Sequence, residues 1–224
     1  MKRDPLKATV LATRYIPNAT QKMVQDLITA GGIIEYDPQR HRSLALLTAD
    51  CDDVTYTALD EATKKADVDV IYAHSFYAGA ANANTKLAGE IIGVLAGPNP
   101  AEARAGLEAA VDFIENEAHF VSANDDDSIP YYAHCISRTG SYLSSTNGIK
   151  EGEALAYLIA PPLEAMYALD AAIKAADVTI VALYNPPSET NFGGGLLTGS
   201  QSACKAAGNA FVEAVEAVAA NPLV

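Results

Sequence analysis

The sequence predicts an α+β fold made of two similar domains of roughly 110 residues. Three observations carry this. Residues 58–68, ALDEATKKADV, return at 168–178 as ALDAAIKAADV, with eight of eleven positions identical. A weaker echo sets GPNPAEARAG at 97–106 against GSQSACKAAG at 199–208. Within each half, short apolar strands also alternate with segments of helical period. The first echo is offset by 110 residues and the second by 102, so the copies differ in length between the two matches. The repeat divides the chain into 1–115 and 116–224.

Residues 6–16 read as a strand closed by Pro17-Asn18. The segment 18–31 then reads as a helix that Asn18 or Thr20 can cap and Gly31-Gly32 ends. SLALLTA (43–49) is a dominantly apolar strand, and Asp52 or Asp53 opens a helix with Val54, Ala58, Ala62 and Ala66 on one face. A strand follows at 68–75, then a Gly/Ala/Asn-rich loop whose side chains are too small and polar to anchor a core. GEIIGVLAG is the next strand. Asn99-Pro100-Ala101-Glu102 starts a helix with an Asn cap, a Pro at the first position and an acid in the first turn.

The second half repeats the plan. It has strands at 131–137 and 153–160, a Pro-led helix at 161–176 and a strand at 177–184. The loop NPPSETNFGG, a short strand at 195–199 and a helix from about Ser200 complete it. On this reading only the first half carries an extra helix between its first two strands. Loops 75–88 and 185–194 are where the copies diverge, and varied loops on a repeated scaffold suit binding or pore formation.

The chain has 224 residues, 50% of them hydrophobic, and a net charge of −13. That balance supports a packed core and opposes binding to nucleic acid or an anionic membrane. It favours cationic small molecules wherever acids line a cleft. No secretory signal and no apolar run of about 18–20 residues is read from the sequence. Cys51, Cys135 and Cys204 are far apart and odd in number, as expected of reduced thiols in a cytoplasm.

Asp50, Asp52 and Asp53 are the densest carboxylates near a strand end; they suit a cationic ligand, a divalent metal, or the positive end of the following helix. His134 and Cys135 are adjacent on a strand, so they point to opposite faces and do not share an ion. Ser202-Ala203-Cys204-Lys205 matches S-x-x-K with no companion motif, and reads as helix surface. Gly193-Gly194-Gly195 lacks the phosphate-loop pattern and reads as a hinge or a tight backbone approach. The Asp125–Asp127 run reads as a solvated turn between the halves. No metal site is read from the four histidines.

Six blocks carry a resemblance: ADCDDVTYTALDEATK (49–64), SFYAGAANANTKLAGE (75–90), GPNPAEARAGL (97–107), SRTGSYLSS (137–145), APPLEAMYALDAA (160–172) and LTGSQSACKAA (197–207). The chain resembles the tandem-domain shell proteins of ethanolamine-utilization bacterial microcompartments, from about Ser43 onward. The resemblance implies two circularly permuted microcompartment domains per chain, each a mainly antiparallel sheet flanked by helices. It implies a homotrimer mimicking a hexamer and packing edge to edge with other shell proteins in a bacterial cytoplasm. It implies a central pore gated by loops, and small pores that take ethanolamine. Cobalamin near the central pore is a further association, with no cofactor required.

Carried onto this sequence, the small-pore positions are Asp52, Asp53, Tyr77, Glu90 and Phe120. The gating positions are Ser75, Phe76, Tyr77, Ala78 and Gly79 in one loop, and Asn185, Pro186, Pro187, Asn191, Phe192 and Gly193 in the other. Ethanolamine is a cation at neutral pH, so carboxylates pair with its ammonium and aromatic faces add cation–π attraction. The expectation is therefore a structural protein and not an enzyme. The alternative is a cytoplasmic regulatory binding protein, or an enzyme using the Asp52/Asp53 cluster.

Overall fold

The computed structural model describes residues 5–76, 90–186 and 191–223. Its first half runs β1 (Val10–Ile16), α1 (Gln21–Gly31), β2 (Ser43–Ala49), α2 (Asp52–Lys65), β3 (Asp69–Phe76), β4 (Glu90–Gly97) and α3 (Pro100–Asn116). The second runs β5 (Val121–Ser122), β6 (Pro130–Ile136), α4 (Ser141–Thr146), β7 (Ala154–Ala160), α5 (Pro162–Ala175), β8 (Val178–Tyr184), β9 (Gly193–Gly199) and α6 (Gln201–Ala220).

Both sheets are antiparallel throughout, with orders β1-β2-β4-β3 and β5-β6-β7-β9-β8. Without the two-residue β5, the second order is the first repeated. The repeat extends to register. Val70 pairs with Leu95 ahead of a bulge at Ile71, and Ile180 pairs with Leu197 ahead of a bulge at Val181. Residues 70 and 180 stand at the first sequence offset and residues 95 and 197 at the second. The length difference between the copies therefore lies in the connections β3–β4 and β8–β9, as the two echoes require.

Each sheet buries one face under its helices. In the first half Leu47, Val70, Ile91 and Leu95 meet Ala58, Leu59, Leu107 and Ile114 of α2 and α3. In the second, Ala156, Leu158 and Leu197 meet Ala168, Leu169, Ala207 and Phe211 of α5 and α6. The other face of the first sheet packs Leu44, Ile71 and Val94 against Val24 and Ile28 of α1. The caps are local. Asn99 Oδ1 accepts from the N–H groups of Ala101 and Glu102, and Ser200 Oγ accepts from that of Ala203.

Three sequence expectations are corrected. The second half does hold a helix, α4, between β6 and β7, in the place that α1 has between β1 and β2. Its sequence, SYLSST, has weak helix propensity, and its N-cap Gly140 has no side chain to cap it. Partners from the first half supply that cap. Second, β1 begins at Val10; upstream, Leu6 forms only an isolated bridge with Phe120. Third, Ser75 and Phe76 are the last residues of β3 and Gly193 is the first of β9, so these three gating positions are strand residues. A Cβ on Gly194 would collide with the Leu158 carbonyl oxygen, and one on Gly195 would lie 2.8 Å from that of Ala182, so this run serves close strand approach. Tyr77, Ala78, Gly79 and Pro187 lie outside the described residues.

Candidate functional site

The helix α2 starts on the strand end Ala49-Asp50-Cys51, and its first turn carries Asp52 and Asp53. Both side chains are buried where the two halves meet. Asp52 Oδ1 accepts from the Asp53 N–H at 2.9 Å, and its Oδ2 accepts from Ser75 Oγ at 2.6 Å. Asp53 Oδ1 accepts from the Tyr157 hydroxyl at 2.9 Å. One carboxylate is thus held by its own half and the other by the opposite half. Asp50 does not join them: it accepts from the Thr9 N–H at 2.6 Å and fixes the chain leading into β1.

A cavity of about 430 Å³ opens beside the pair. Asp52, Asp53 and Tyr56 line it from α2, Tyr142 and Asn147 from α4 and the residue after it, Tyr157 from β7 and Tyr184 from β8. Phe192 closes one side. Tyr157 and Tyr184 lie 6.4 Å apart between ring centroids. The result is an acidic floor under aromatic walls, a chemistry suited to a small organic cation.

The electrostatics agree. Burial, and then the negative Asp52, push the Asp53 carboxyl well above the usual carboxylate range, against the lowering effect of the Tyr157 hydrogen bond. The Tyr184 phenol is pushed up to about 12, first by burial and then by Asp53. Two adjacent buried acids disfavour ionising together, and a cation between them would favour the charged form of both.

The other expected positions divide. Phe120 is fully buried behind the wall, stacked on Tyr132 at 5.3 Å and edge-on to the cavity residue Phe192 at 6.0 Å. Glu90 is buried at the start of β4, paired with Phe76, while Ser75 pairs with Ile91. Pleat alternation therefore puts Glu90 and the Asp52 partner Ser75 on opposite sheet faces. Glu90 is not among the residues lining the cavity. Asn185 and Pro186 follow β8 directly, and Gly193 packs against Pro186.

His134 and Cys135 point to opposite faces. His134 stacks on Tyr132 at 5.6 Å and meets Phe113 edge-on at 5.7 Å, and burial lowers its pKa to about 4. Cys135 lies on the other face, near the Gln201 carbonyl. No group of three His, Cys, Asp or Glu able to hold a metal occurs among the described residues.

Sequence reasoning missed Tyr157, Tyr184 and Tyr142, and it named Ser75 as a gating position and not as the partner of Asp52. One signal was available: Tyr157 sits in the apolar run ALAYLIA, and a buried phenol needs a hydrogen-bond partner. Nothing local says that the partner is Asp53.

Known proteins align with these features over the full length. The family model of the BMC domain matches residues 43–128. The bacterial microcompartment shell protein EutL of Clostridium perfringens is 66% identical over 223 residues, covering 100% of this chain and 99% of its own length. The crystal structure of the ethanolamine utilization protein EutL from Leptotrichia buccalis superimposes with a TM-score of 0.90 at 73% identity, covering 100% of both chains. The trimeric shell protein PduB, at 18% identity and a TM-score of 0.73 over 90% of this chain and 85% of its own, shares the fold.

Proposed function

This chain belongs to the EutL family of bacterial microcompartment shell proteins, and from that membership we propose that it is a non-catalytic tile whose three copies ring a gated central pore. It is a shell protein with two tandem permuted microcompartment domains, and its place is the microcompartment shell. We set the domain limits at 1–115 and 116–224, a boundary that falls at the last residue of α3 (Pro100–Asn116).

The observation that carries the trimer is the repeated register. Two domains with the same strand order, pairing and bulge position make three chains equivalent to six subunits of a ring. Such tiles pack edge to edge with other shell proteins. The segments β3–β4 and β8–β9, where the copies differ in length, are the gating loops of this reading.

The cavity between the halves is the small-molecule site. Ethanolamine enters as a cation, its ammonium pairing with Asp52 and Asp53 and its carbon chain lying against Tyr56, Tyr157 and Tyr184. The volume, about 430 Å³, exceeds the need of a four-heavy-atom amine, so it binds with accompanying water. Phe120 acts through Phe192, which it meets edge-on. A ligand that fits only one arrangement of the adjoining loops shifts the population toward it. Cobalamin, if taken, meets the central surface that three copies form together.

Electron microscopy of the purified protein tests the assembly, with trimeric tiles or sheets expected; dispersed monomers would refute it. Isothermal titration with ethanolamine tests the site. Asp52→Asn and Asp53→Asn should each weaken binding at least tenfold, and equal affinity in wild type and both variants would remove the assignment.

A further inference from the structure

The cavity between the halves is walled mainly by aromatic rings: Tyr56, Tyr142, Tyr157, Tyr184 and Phe192 all line it. Among the described residues of its lining, Asp52 and Asp53 are the only charged side chains. No base offsets their field, so the cavity selects for a cation.

The rings are held from behind before any ligand arrives. Tyr157 is 1% exposed, its hydroxyl is given to Asp53, and its ring meets Tyr132 edge-on at 5.6 Å. Phe192 is held edge-on by Phe120. Tyr56 of the first half and Tyr142 of the second lie 6.5 Å apart between ring centroids, tilted by 33°. Tyr157 and Tyr184 have the same tilt. Neither pair is stacked, so ring surface is left for a guest. A wall already ordered costs little entropy on binding.

The acidic floor has less to offer than its charge suggests. Three of the four carboxylate oxygens already accept a hydrogen bond from the protein: Asp52 Oδ1 from the Asp53 N–H, Asp52 Oδ2 from Ser75, and Asp53 Oδ1 from Tyr157. A primary ammonium brings three N–H donors, and each needs an acceptor once water leaves. Each N-methyl group removes one donor and keeps the charge. It also buries apolar surface against the rings. A cation over aromatic faces is drawn to their negative quadrupole, and a ring of such faces is how quaternary ammonium groups are recognised.

Size agrees. A cavity of about 430 Å³ is in the range of small-ligand pockets and has room for an amino alcohol with three N-methyl groups. Thr146 and Asn147, at the α4 end of the lining, suit its hydroxyl.

We propose that this cavity is an aromatic cage for N-methylated ammonium alcohols, and that it holds the trimethylated head more tightly than the primary one. The inference rests on the reading of the cavity as the site of a small organic cation, and it widens the ligand class from a primary amine to the N-methyl series. Asp52 and Asp53 supply the charge that every member needs. The rings supply the preference for methyl groups.

Isothermal titration of the intact chain with ethanolamine and its N-methyl, N,N-dimethyl and N,N,N-trimethyl derivatives tests this. The Kd should fall with each methyl group, to about a tenth of the ethanolamine value for the trimethyl compound. Tyr56→Leu and Tyr184→Leu leave both acids in place. Each should weaken the trimethyl compound about tenfold and ethanolamine about twofold, with folding checked by circular dichroism. The wild-type series decides the matter even where a variant does not fold. Glycerophosphocholine carries the same head beside an anionic phosphate that the acidic lining repels, so it should bind at least about tenfold more weakly than the free alcohol. Ethanolamine that binds while affinity stays level or falls along the series would overturn the cage and leave the small-cation site. Equal losses of both ligands in the leucine variants would do the same. Binding of no member of the series would overturn both. Equal binding of glycerophosphocholine would overturn the free alcohol as the occupant.

Discussion

The carboxylate of Asp60 accepts the N–H of Leu143 at 2.8 Å, although the two residues belong to different halves of the chain. Its second oxygen accepts from Gly140, and Thr63 Oγ1 accepts from Ser141 at 3.2 Å. Three N–H groups at the start of α4 thus find partners on α2, and α4 forms a wall of the cation cavity. Asp60→Ala should destabilise the chain by about 2–4 kcal/mol, the loss of a cap plus two buried unpaired donors. Urea unfolding measures this; a change below about 0.5 kcal/mol would show that α4 does not depend on the opposite half.

Gly140 faces the same contact. A Cβ there would collide with Thr63 Oγ1 and come within 2.6 Å of the Asp60 carbonyl oxygen. Gly140→Ala should therefore cost about 1–3 kcal/mol by overpacking, and Thr63→Ala in the same chain should return part of it. Thermal melting of the single and double variants reads the coupling.

Asp53 links stability to ligand binding with opposite signs. Burial and Asp52 raise its folded-state pKa above the value of an unfolded Asp, about 3.9. Between those values the native state holds a proton that the unfolded chain has released, so this contribution to stability is present at low pH and lost as pH rises through the folded pKa. Asp53→Asn should flatten that decline and raise the urea midpoint at pH 8 more than at pH 4. Ethanolamine binding should release protons in the wild type, seen as a dependence of titration heat on buffer ionisation enthalpy. Asp53→Asn should lose that dependence.

Asp69 behaves oppositely. The side chains of His41 and Arg40 hydrogen-bond it at 3.1 and 3.0 Å and hold its carboxyl below the usual range, with burial opposing. His41 Nδ1 accepts from the Asp37 N–H, so Nε2 carries the proton given to Asp69. The resulting stability is present above the unfolded Asp value and lost as pH falls through the lower folded one. Asp69→Asn should shrink the loss of stability below about pH 4, measured by thermal melts in acid.

The sequence by itself determined the duplication, the order of strands and long helices, the place of the length difference, and Asp52 and Asp53 as the acids of interest. These follow from local periodicity and from self-comparison, which need no knowledge of contacts. It did not determine α4, because a Ser- and Thr-rich segment becomes a helix only when acceptors from α2 complete its first turn. Nor did it determine the cavity. Tyr157 and Tyr184 are far from Asp53 along the chain, and only the docking of the two halves places one phenol on its carboxylate and the other beside it. Tertiary structure also decided the different fates of equivalent residues. At the repeat offset of 110, Asp53 is buried and Leu163 exposed, because α2 packs on the second half while α5 presents the same face without a counterpart among the described residues.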